Sequence, residues 1–169
     1  MKKRMLGTLA VSEIGMGCMG ISHAAGRAME TPDAVRLLRT AVDMGYTFFE
    51  PPKNTGFADD PHHNEKVLGE ALAPVRGRVV IATKCGVSFD YAADREVPPL
   101  LYDSSRAGIR RAVEGSLRRL RTDRIDLYFQ ARIDPRGEPE EVADTMAELI
   151  REGKILHWGV SEVGPDYLR

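Results

Sequence analysis

Apolar residues in this chain alternate between short, mostly apolar runs and longer stretches with helical spacing. The short runs lie at 12–18, 46–50, 78–84, 125–132 and 155–162. Runs of this kind predict strands whose two faces are both buried. Between them, apolar side chains recur every three or four residues, which predicts amphipathic helices. The resulting order, βαβαβαβαβ, indicates a parallel sheet with helices packed outside it.

Start and stop signals bound the predicted helices. Thr31 and Asn64 stand where the N-caps of the first two helices are expected, and Pro32 takes the first helical position. Gly45 and Gly153 end the first and fourth helices, because glycine readily adopts the left-handed conformation that follows a helix. The helix boundaries are therefore predicted by local chemistry as well as by periodicity.

Two architectures share this element order, an open doubly wound sheet and a closed barrel. GMGCMG at 15–20 has GxGxxG spacing but does not open directly into a helix, so it is not interpreted as a phosphate-binding fingerprint, and no P-loop follows any predicted strand. The sequence therefore favours a single α/β domain over 1–169, a partial (β/α) TIM-type barrel of about five strands with outer helices. The connection over 86–102 is long and polar and is predicted as a loop.

A complete barrel has eight strand–helix units in typically ~250 residues, and this chain has 169. Five strands would leave two sheet edges and an apolar inner face uncovered. A homodimer in which two half barrels cover one another is therefore expected.

Charge and cysteine content bear on the expected binding partners and on the cellular compartment. The net charge of −1 gives no reason to expect nucleic acid or an anionic membrane as partner, and acidic residues interrupt the arginines of the third helix. No apolar stretch approaches the ~20 residues of a membrane span, and no signal peptide is recognisable. Cys18 and Cys85 lie far apart, so reduced, buried thiols and a cytoplasmic location are expected.

Five motifs in this order resemble the aldo-keto reductase family. They are VSEIGMGCMGIS, MGYTFFE with NEKVLGEAL, VVIATKCG, TDRIDLYFQARIDP and EGKILHWGVSE. The similarity runs almost from end to end of the chain. It implies a (β/α)8 barrel that binds NADPH in extended form at its C-terminal mouth. In that family a tyrosine gives a proton to the substrate carbonyl, assisted by a lysine, an aspartate and a histidine.

Only one of these four catalytic residues is present at the matching position of this sequence. The lysine matches Lys84, whereas the aspartate position holds Glu50, the tyrosine position Thr55 and the histidine position Ala131. A phenol with a pKa near 10 can be tuned to transfer a proton near neutral pH, but an aliphatic hydroxyl is too weak an acid. Ala131 also removes the imidazole that would orient the carbonyl.

The family's cofactor contacts are also incomplete in this sequence. Ser161 and Glu162 match positions that touch the nicotinamide amide, but the resemblance places the loops that grip the rest of NADPH beyond residue 169. These two residues are therefore expected to be vestigial, and no cofactor is expected. The prediction is cofactor-independent acid–base chemistry on a small molecule, of lyase, isomerase or cyclase type. Two alternatives stay open: an NADPH-dependent aldo-keto reductase or a fragment of one, and a non-catalytic interaction protein.

The stretch FFEPPKNTG, at 48–56, supplies most of the candidate catalytic residues. Glu50 and Lys84 are predicted near the carboxyl ends of neighbouring strands, where barrel enzymes carry their chemistry. A carboxylate and an ammonium there can tune one another as base and acid, with Lys53, Thr55 or His62 assisting. The alternative is an ion pair with a purely structural role.

The segment DDPHHNE, at 59–65, offers imidazoles and carboxylates that could bind zinc or manganese. Adjacent histidines on a loop usually point apart, and no third ligand is fixed by spacing. A polar loop and no metal are therefore predicted. His157 lies inside the last strand and is predicted to be structural, His23 could reach the mouth, and Cys85 is predicted to be inert.

Overall fold

The computed structural model describes residues 1–22, 27–51, 57–93, 95 and 98–168. The strands in chain order are β1 (Lys3–Leu6), β2 (Leu9–Ser12), β3 (Met16–Gly17), β4 (Phe48–Glu50), β5 (Val80–Phe89), β6 (Leu100–Asp103), β7 (Ile125–Gln130) and β8 (Ile155–Val160). The helices are α1 (Thr31–Asp43), α2 (His63–Leu72), α3 (Arg106–Leu120) and α4 (Pro139–Arg151).

The main sheet has the strand order β3-β4-β5-β7-β8, and every neighbouring pair on this path is parallel. Successive helices contact one another, and α3 and α4 also contact β5 and β8. Because the strands follow chain order with a helix between most of them, the arrangement is an arc of a (β/α) barrel. The predicted fold class is confirmed.

The core lies between the sheet and the helices, as the apolar periodicity predicts. The predicted stripe of α3 is buried at Ile109, Val113, Leu117 and Leu120. Apolar side chains of the other helices and of the strands complete the same cluster. The arginines of α3 lie outside this stripe, and several of them pair with carboxylates of neighbouring elements.

The predicted strand over 12–18 is wrong in its extent. Ser12 ends β2, which pairs antiparallel with β1, and only β3 joins the parallel sheet. The side chains of Ser12 and Thr47 explain the break, because each hydroxyl accepts a hydrogen bond from the other residue's backbone N–H, at 3.0 and 2.8 Å. The hairpin is also tied to β8, since Thr8 Oγ1 lies 3.3 Å from His157 Nε2.

Two predicted helix caps also differ. Thr31 is the first residue of α1 rather than its cap, and Glu30 precedes it without a side-chain capping bond. Asn64 lies inside the first turn of α2 and donates from Nδ2 to the Cys18 carbonyl at 3.2 Å. This long-range bond links the helix to the end of β3, so the tertiary contact outweighs the local capping preference.

The predicted loop over 86–102 contains regular structure at both ends. The strand β5 continues to Phe89 and pairs antiparallel with β6, with Gly86 opposite Asp103 and Phe89 opposite Leu100. Gly86 has φ +87°, a conformation that favours glycine and allows the strand to change direction there. The prediction of a loop throughout was therefore wrong.

None of the helices in the described ranges is long and apolar enough to cross a membrane. Cys18 and Cys85 are both buried thiols that form no disulfide. The predicted reduced state fits these positions, and the cytoplasmic location stays a prediction.

Candidate active site

A cavity of about 380 Å³ opens at the carboxyl ends of the parallel strands. Its lining comes from four strands, the residue before β3 and the segment after β8: Gly15, Met16, Gly17, Phe48, Glu50, Lys84, Phe129 and Ser161. Both residues central to the sequence-based prediction, Glu50 and Lys84, are in this set. In a parallel β/α sheet, this end of the strands is where ligands bind.

Glu50 and Lys84 form an ion pair on the cavity wall. Glu50 ends β4 and Lys84 lies in the adjacent strand β5, so the parallel pairing brings the two side chains together. Their side chains are 32% and 27% exposed, which leaves both groups reachable from the cavity. The predicted proximity of the pair is therefore present in the structure.

Burial lowers the pKa of the Lys84 ammonium, and the negative charge of Glu162 partly opposes this effect. Removing water from an ammonium disfavours its charged form, so this lysine loses its proton more readily than an exposed one. A lysine with these properties can donate a hydrogen bond to an oxygen that gains negative charge, and can exchange a proton with it.

Two phenylalanine rings give the cavity an apolar surface beside the ion pair. A side chain at Gly15 would place its Cβ 2.8 Å from the Phe48 ring, and one at Gly159 would place it 2.8 Å from the Phe129 ring. Glycine at these two positions therefore lets the rings lie directly against neighbouring backbone. Two phenylalanines therefore line the same cavity as the Glu50–Lys84 ion pair.

Backbone hydrogen bonds position the segments after β7 and β8. The Ser161 N–H donates to the Gln130 carbonyl at 3.0 Å, and the Ala131 N–H donates to the Cys85 carbonyl at 2.9 Å. Beside them, Arg132 Nη1 lies 2.8 Å from Glu162 Oε2. Arg132 is not among the site residues predicted from the sequence, although its position at the end of a predicted strand was a usable signal.

Of the remaining catalytic candidates from the sequence, only His62 lies within the described residues. His62 lines a different cavity with Gly86 and Arg111 and is not among the residues that line the Lys84 cavity. Lys53, Thr55 and His23 lie outside the described residues. Their predicted roles, like those of the other candidates, stay predictions.

Within the described ranges, no three His, Cys, Asp or Glu side chains lie together where they could hold a metal ion. In the 59–65 segment, Asp60 instead pairs with Lys66 at 2.7 Å and lies 3.6 Å from the His63 ring nitrogen. The Asp60 carboxylate therefore lies beside two residues of α2, one of them a lysine.

Comparison with known proteins decides the family. The sequence pattern described as "Aldo/keto reductase family" matches residues 13–169. The chain belongs to the aldo/keto reductase family. The resemblance seen in the sequence motifs is confirmed.

Similar proteins cover the chain almost completely. A probable aldo-keto reductase of Glycine max is 34% identical over 94% of this chain and 44% of its own length. The structure of a holo-form aldo-keto reductase from Bacillus halodurans has 33% identity and a TM-score of 0.80, covering 99% of this chain and 52% of that one. A glycerol dehydrogenase from Gluconobacter oxydans has 30% identity and a TM-score of 0.79, covering 98% of this chain and 50% of that one. The chain thus spans about half the length of these relatives.

These findings correct two expectations from the sequence. The cofactor-independent lyase, isomerase or cyclase activity is overturned, because the relatives carry the names of reductases, an oxidoreductase and a dehydrogenase. The expectation of no cofactor falls for the same reason, since the family uses a nicotinamide cofactor and one similar structure is a holo form. That expectation gave too much weight to substituted positions and too little to overall family similarity.

The residues of the cavity fit the nicotinamide end of such a cofactor. The phenylalanine rings offer a flat apolar surface for a nicotinamide ring, and the Ser161 hydroxyl can hydrogen-bond to its amide. Gly17 borders open space, because a Cβ atom at this position would have no other heavy atom within 4 Å. The donor set and the open space are therefore compatible with this group.

Proposed function

We propose that this protein acts in nicotinamide-dependent interconversion of a small carbonyl compound and its alcohol, as an aldo/keto reductase. The observation that supports this most strongly is the Glu50–Lys84 ion pair in an apolar cavity at the carboxyl ends of the strands. Family membership supports the same reaction class, and the name of the Gluconobacter oxydans relative, a glycerol dehydrogenase, makes small polyols a reasonable first substrate set.

Lys84 has the central role in this proposal. Its ammonium donates a hydrogen bond to the substrate oxygen, which stabilises the negative charge that develops there. Glu50 keeps the ammonium oriented through the ion pair. The neighbouring aromatic surface excludes water, which strengthens this electrostatic interaction.

NADPH, when bound, supplies the hydride for carbonyl reduction. In this proposal Ser161 would bind the nicotinamide amide, and Phe48 and Phe129 would line the space for the nicotinamide ring and the substrate. Ser161 is held in place by its backbone bond to the Gln130 carbonyl.

The substitutions at Thr55 and Ala131 define how this protein would differ from the common family pattern. Without the phenol and the imidazole, proton transfer to the substrate oxygen depends on Lys84 or on water. General acid catalysis typically contributes ~100- to ~10,000-fold, so slow turnover is expected. Binding of cofactor is a more sensitive first test than turnover.

Fluorescence titration with NADPH tests the proposal directly. Trp158 lies in β8, three residues before Ser161, and its side chain is 37% exposed. It therefore gives an intrinsic fluorescence signal. Saturable binding is expected, together with weaker binding of the Ser161→Ala variant. Absence of binding up to millimolar cofactor in a folded sample would overturn the proposal.

A turnover assay with Lys84→Met then tests the role of the lysine. NADPH oxidation with small aldehydes and ketones is expected to fall at least ~100-fold, since the charge that stabilises the substrate oxygen is lost. Lys154→Met is the matched control, because Lys154 pairs with Glu114 and Glu152 away from the cavity. Equal activity of the two variants would contradict the assigned role.

We also propose that the protein forms the homodimer expected from its sequence. In the described part of the chain, β8 pairs with β7 at one edge and with no strand at the other. Leu156 and Trp158 are exposed beside this edge, next to an apolar cavity of about 420 Å³ that includes Leu168. Light scattering should give a dimer mass that Trp158→Glu reduces, whereas a monomer at all concentrations would refute the assembly.

A further inference from the structure

The segment that follows β8 is bonded at both of its ends to one residue, Gln130. The Ser161 N–H donates to the Gln130 backbone carbonyl at 3.0 Å, and the Tyr167 hydroxyl donates to Gln130 Oε1 at 3.0 Å. Tyr167 belongs to a short 3-10 turn, Pro165–Leu168. Residues 161–167 therefore form a loop whose two ends are both anchored on the last residue of β7.

The side chain of Gln130 is itself fixed by buried polar groups. Gln130 is 1% exposed, and its Nε2 donates to Ser104 Oγ at 3.3 Å. Ser104 is 2% exposed, directly precedes the N-cap of α3, and donates from its backbone N–H to Asp134 Oδ2 at 3.2 Å. The Gln130 amide is therefore a well-ordered acceptor for the Tyr167 hydroxyl.

Gln130 reaches the candidate active site only through the 161–167 loop. Successive side chains of a strand point to opposite faces of the sheet, so Phe129 and Gln130 face different ways. Phe129 lines the Lys84 cavity together with Ser161, and Gln130 is not among the residues that line it. Any effect of Gln130 on this cavity must consequently pass through its bonds to the loop.

The backbone inside this loop needs support from its surroundings. Glu162 has φ +57°, in the left-handed region that is uncommon for residues other than glycine, asparagine and aspartate. Such a conformation persists only where surrounding contacts fix it. The two bonds to Gln130 are contacts of this kind, and so is the 2.8 Å ion pair between Arg132 and Glu162. Loss of an end bond should therefore release Ser161, which directly precedes Glu162.

We propose that Gln130 and Tyr167 are positioning residues for Ser161: the two bonds that anchor the 161–167 loop on Gln130 keep Ser161 at the cavity before a ligand enters. The inference rests on the proposed function, in which Ser161 binds the nicotinamide amide. A loop that already has its binding conformation loses less freedom when the cofactor binds, which increases affinity.

Hydrogen exchange of backbone amides, followed by NMR in the cofactor-free protein, measures how often the loop opens. In Tyr167→Phe the Ser161 amide is expected to exchange roughly tenfold faster, because the buried Gln130 oxygen loses its donor and one end of the loop is released. Gln130→Met keeps the backbone carbonyl and removes the side-chain bonds, so it should accelerate this amide at least as much. The double variant should exchange no faster than Gln130→Met alone, since both changes remove the same bond.

Two controls separate local release of the loop from general loosening of the fold. Amides inside β8 should keep their exchange rates in Tyr167→Phe, because β8 is also paired with β7 along its length. Tyr46→Phe is the matched variant, since Tyr46 packs against the core and precedes β4, at the opposite end of the parallel strands. An unchanged Ser161 rate in Tyr167→Phe would overturn the inference, and so would equal acceleration of the Trp158 and Ser161 amides.

NADPH titration of the same variants distinguishes this inference from the proposed function. If the unmodified protein binds NADPH, Tyr167→Phe should weaken binding by about threefold, because fewer molecules hold Ser161 in place. The same change should have no further effect in Ser161→Ala, and unchanged affinity or full additivity would overturn the positioning role. If the unmodified protein does not bind NADPH, the proposed function fails, whereas a selective rise in Ser161 exchange would still support the inference for the free protein.

Discussion

Glu65 is the most buried charged residue in the described part of the chain, and its contacts make a strong prediction about stability. Its side chain is 0% exposed and accepts hydrogen bonds from the Thr83 and Ser116 hydroxyls, both at 2.8 Å. It also pairs with Arg119 Nε at 2.6 Å. One carboxylate on α2 thereby links a strand of the main sheet to α3.

The expected cost of Glu65→Ala follows from these contacts. Removing one partner of a buried ion pair typically costs ~3–5 kcal/mol, and each unsatisfied buried donor costs ~1–3 kcal/mol. The Arg119 side chain is 18% exposed, so water can partly replace its partner, and hydroxyl groups can rotate towards other acceptors. We therefore expect a loss of ~3–5 kcal/mol in the free energy of unfolding. Glu65→Gln keeps the volume and one acceptor oxygen, and should lose ~1–3 kcal/mol.

Urea unfolding followed by circular dichroism and Trp158 fluorescence measures these losses. Glu70→Gln on the same helix is the control and should change stability by no more than ~1 kcal/mol, because its pair with Arg121 is exposed and 3.9 Å long. In a double-mutant cycle, Glu65→Ala with Arg119→Met should cost less than the sum of the two single changes. A loss below ~1 kcal/mol for Glu65→Ala, with cooperative unfolding, would refute this interpretation of the network.

Three further predictions concern activity, acid stability and thiol reactivity. Thr55→Tyr combined with Ala131→His should raise the carbonyl reduction rate ~100-fold or more, and an unchanged rate would show that these positions do not reach the substrate oxygen. Hydrogen bonds from Arg110 lower the pKa of Glu152 from 4.5 to about 2. This pair therefore stabilises the fold above pH about 4.5, and its contribution is lost as the pH falls towards about 2. In Arg110→Met the free energy of unfolding should depend less on pH over this range. An unaltered pH dependence in this variant would contradict the prediction. Burial raises the pKa of Cys18 to about 12, so iodoacetamide at pH 8 should modify it in urea much faster than in the native protein, and equal rates would show that it is accessible.

The sequence predicted the fold class because its signals are local and repeated. Apolar runs and helical periodicity recur along the whole chain, and each core position of α3 carries its own evidence, as Ile109 and Val113 show. The boundaries were predicted less well. Ser12 and Asn64 make hydrogen bonds to residues 35 and 46 positions away, and such bonds leave no trace in local propensity.

The residues of the candidate site were also predicted only in part. Glu50 and Lys84 could be predicted from sequence because both stand at the carboxyl end of a predicted strand, and consecutive parallel strands bring those ends together. The role of His62 was assigned from its position in the chain, but the turn before α2 places it in a different cavity. The prediction of cofactor-independent chemistry was wrong because the substituted positions Thr55 and Ala131 were weighed above the similarity of the whole chain.

The sequence by itself determined the order of the elements, the buried faces of the helices and the chemical types at the strand ends. Tertiary structure alone decided which charges share one environment. Arg132 and Glu162 are 30 positions apart and become an ion pair only because β7 and β8 are parallel neighbours with their ends in register. Burial of Lys84 likewise depends on side chains contributed by other strands. Hydrophobic periodicity is a property of each segment, whereas desolvation and electrostatic coupling depend on distances that exist only after the segments have packed.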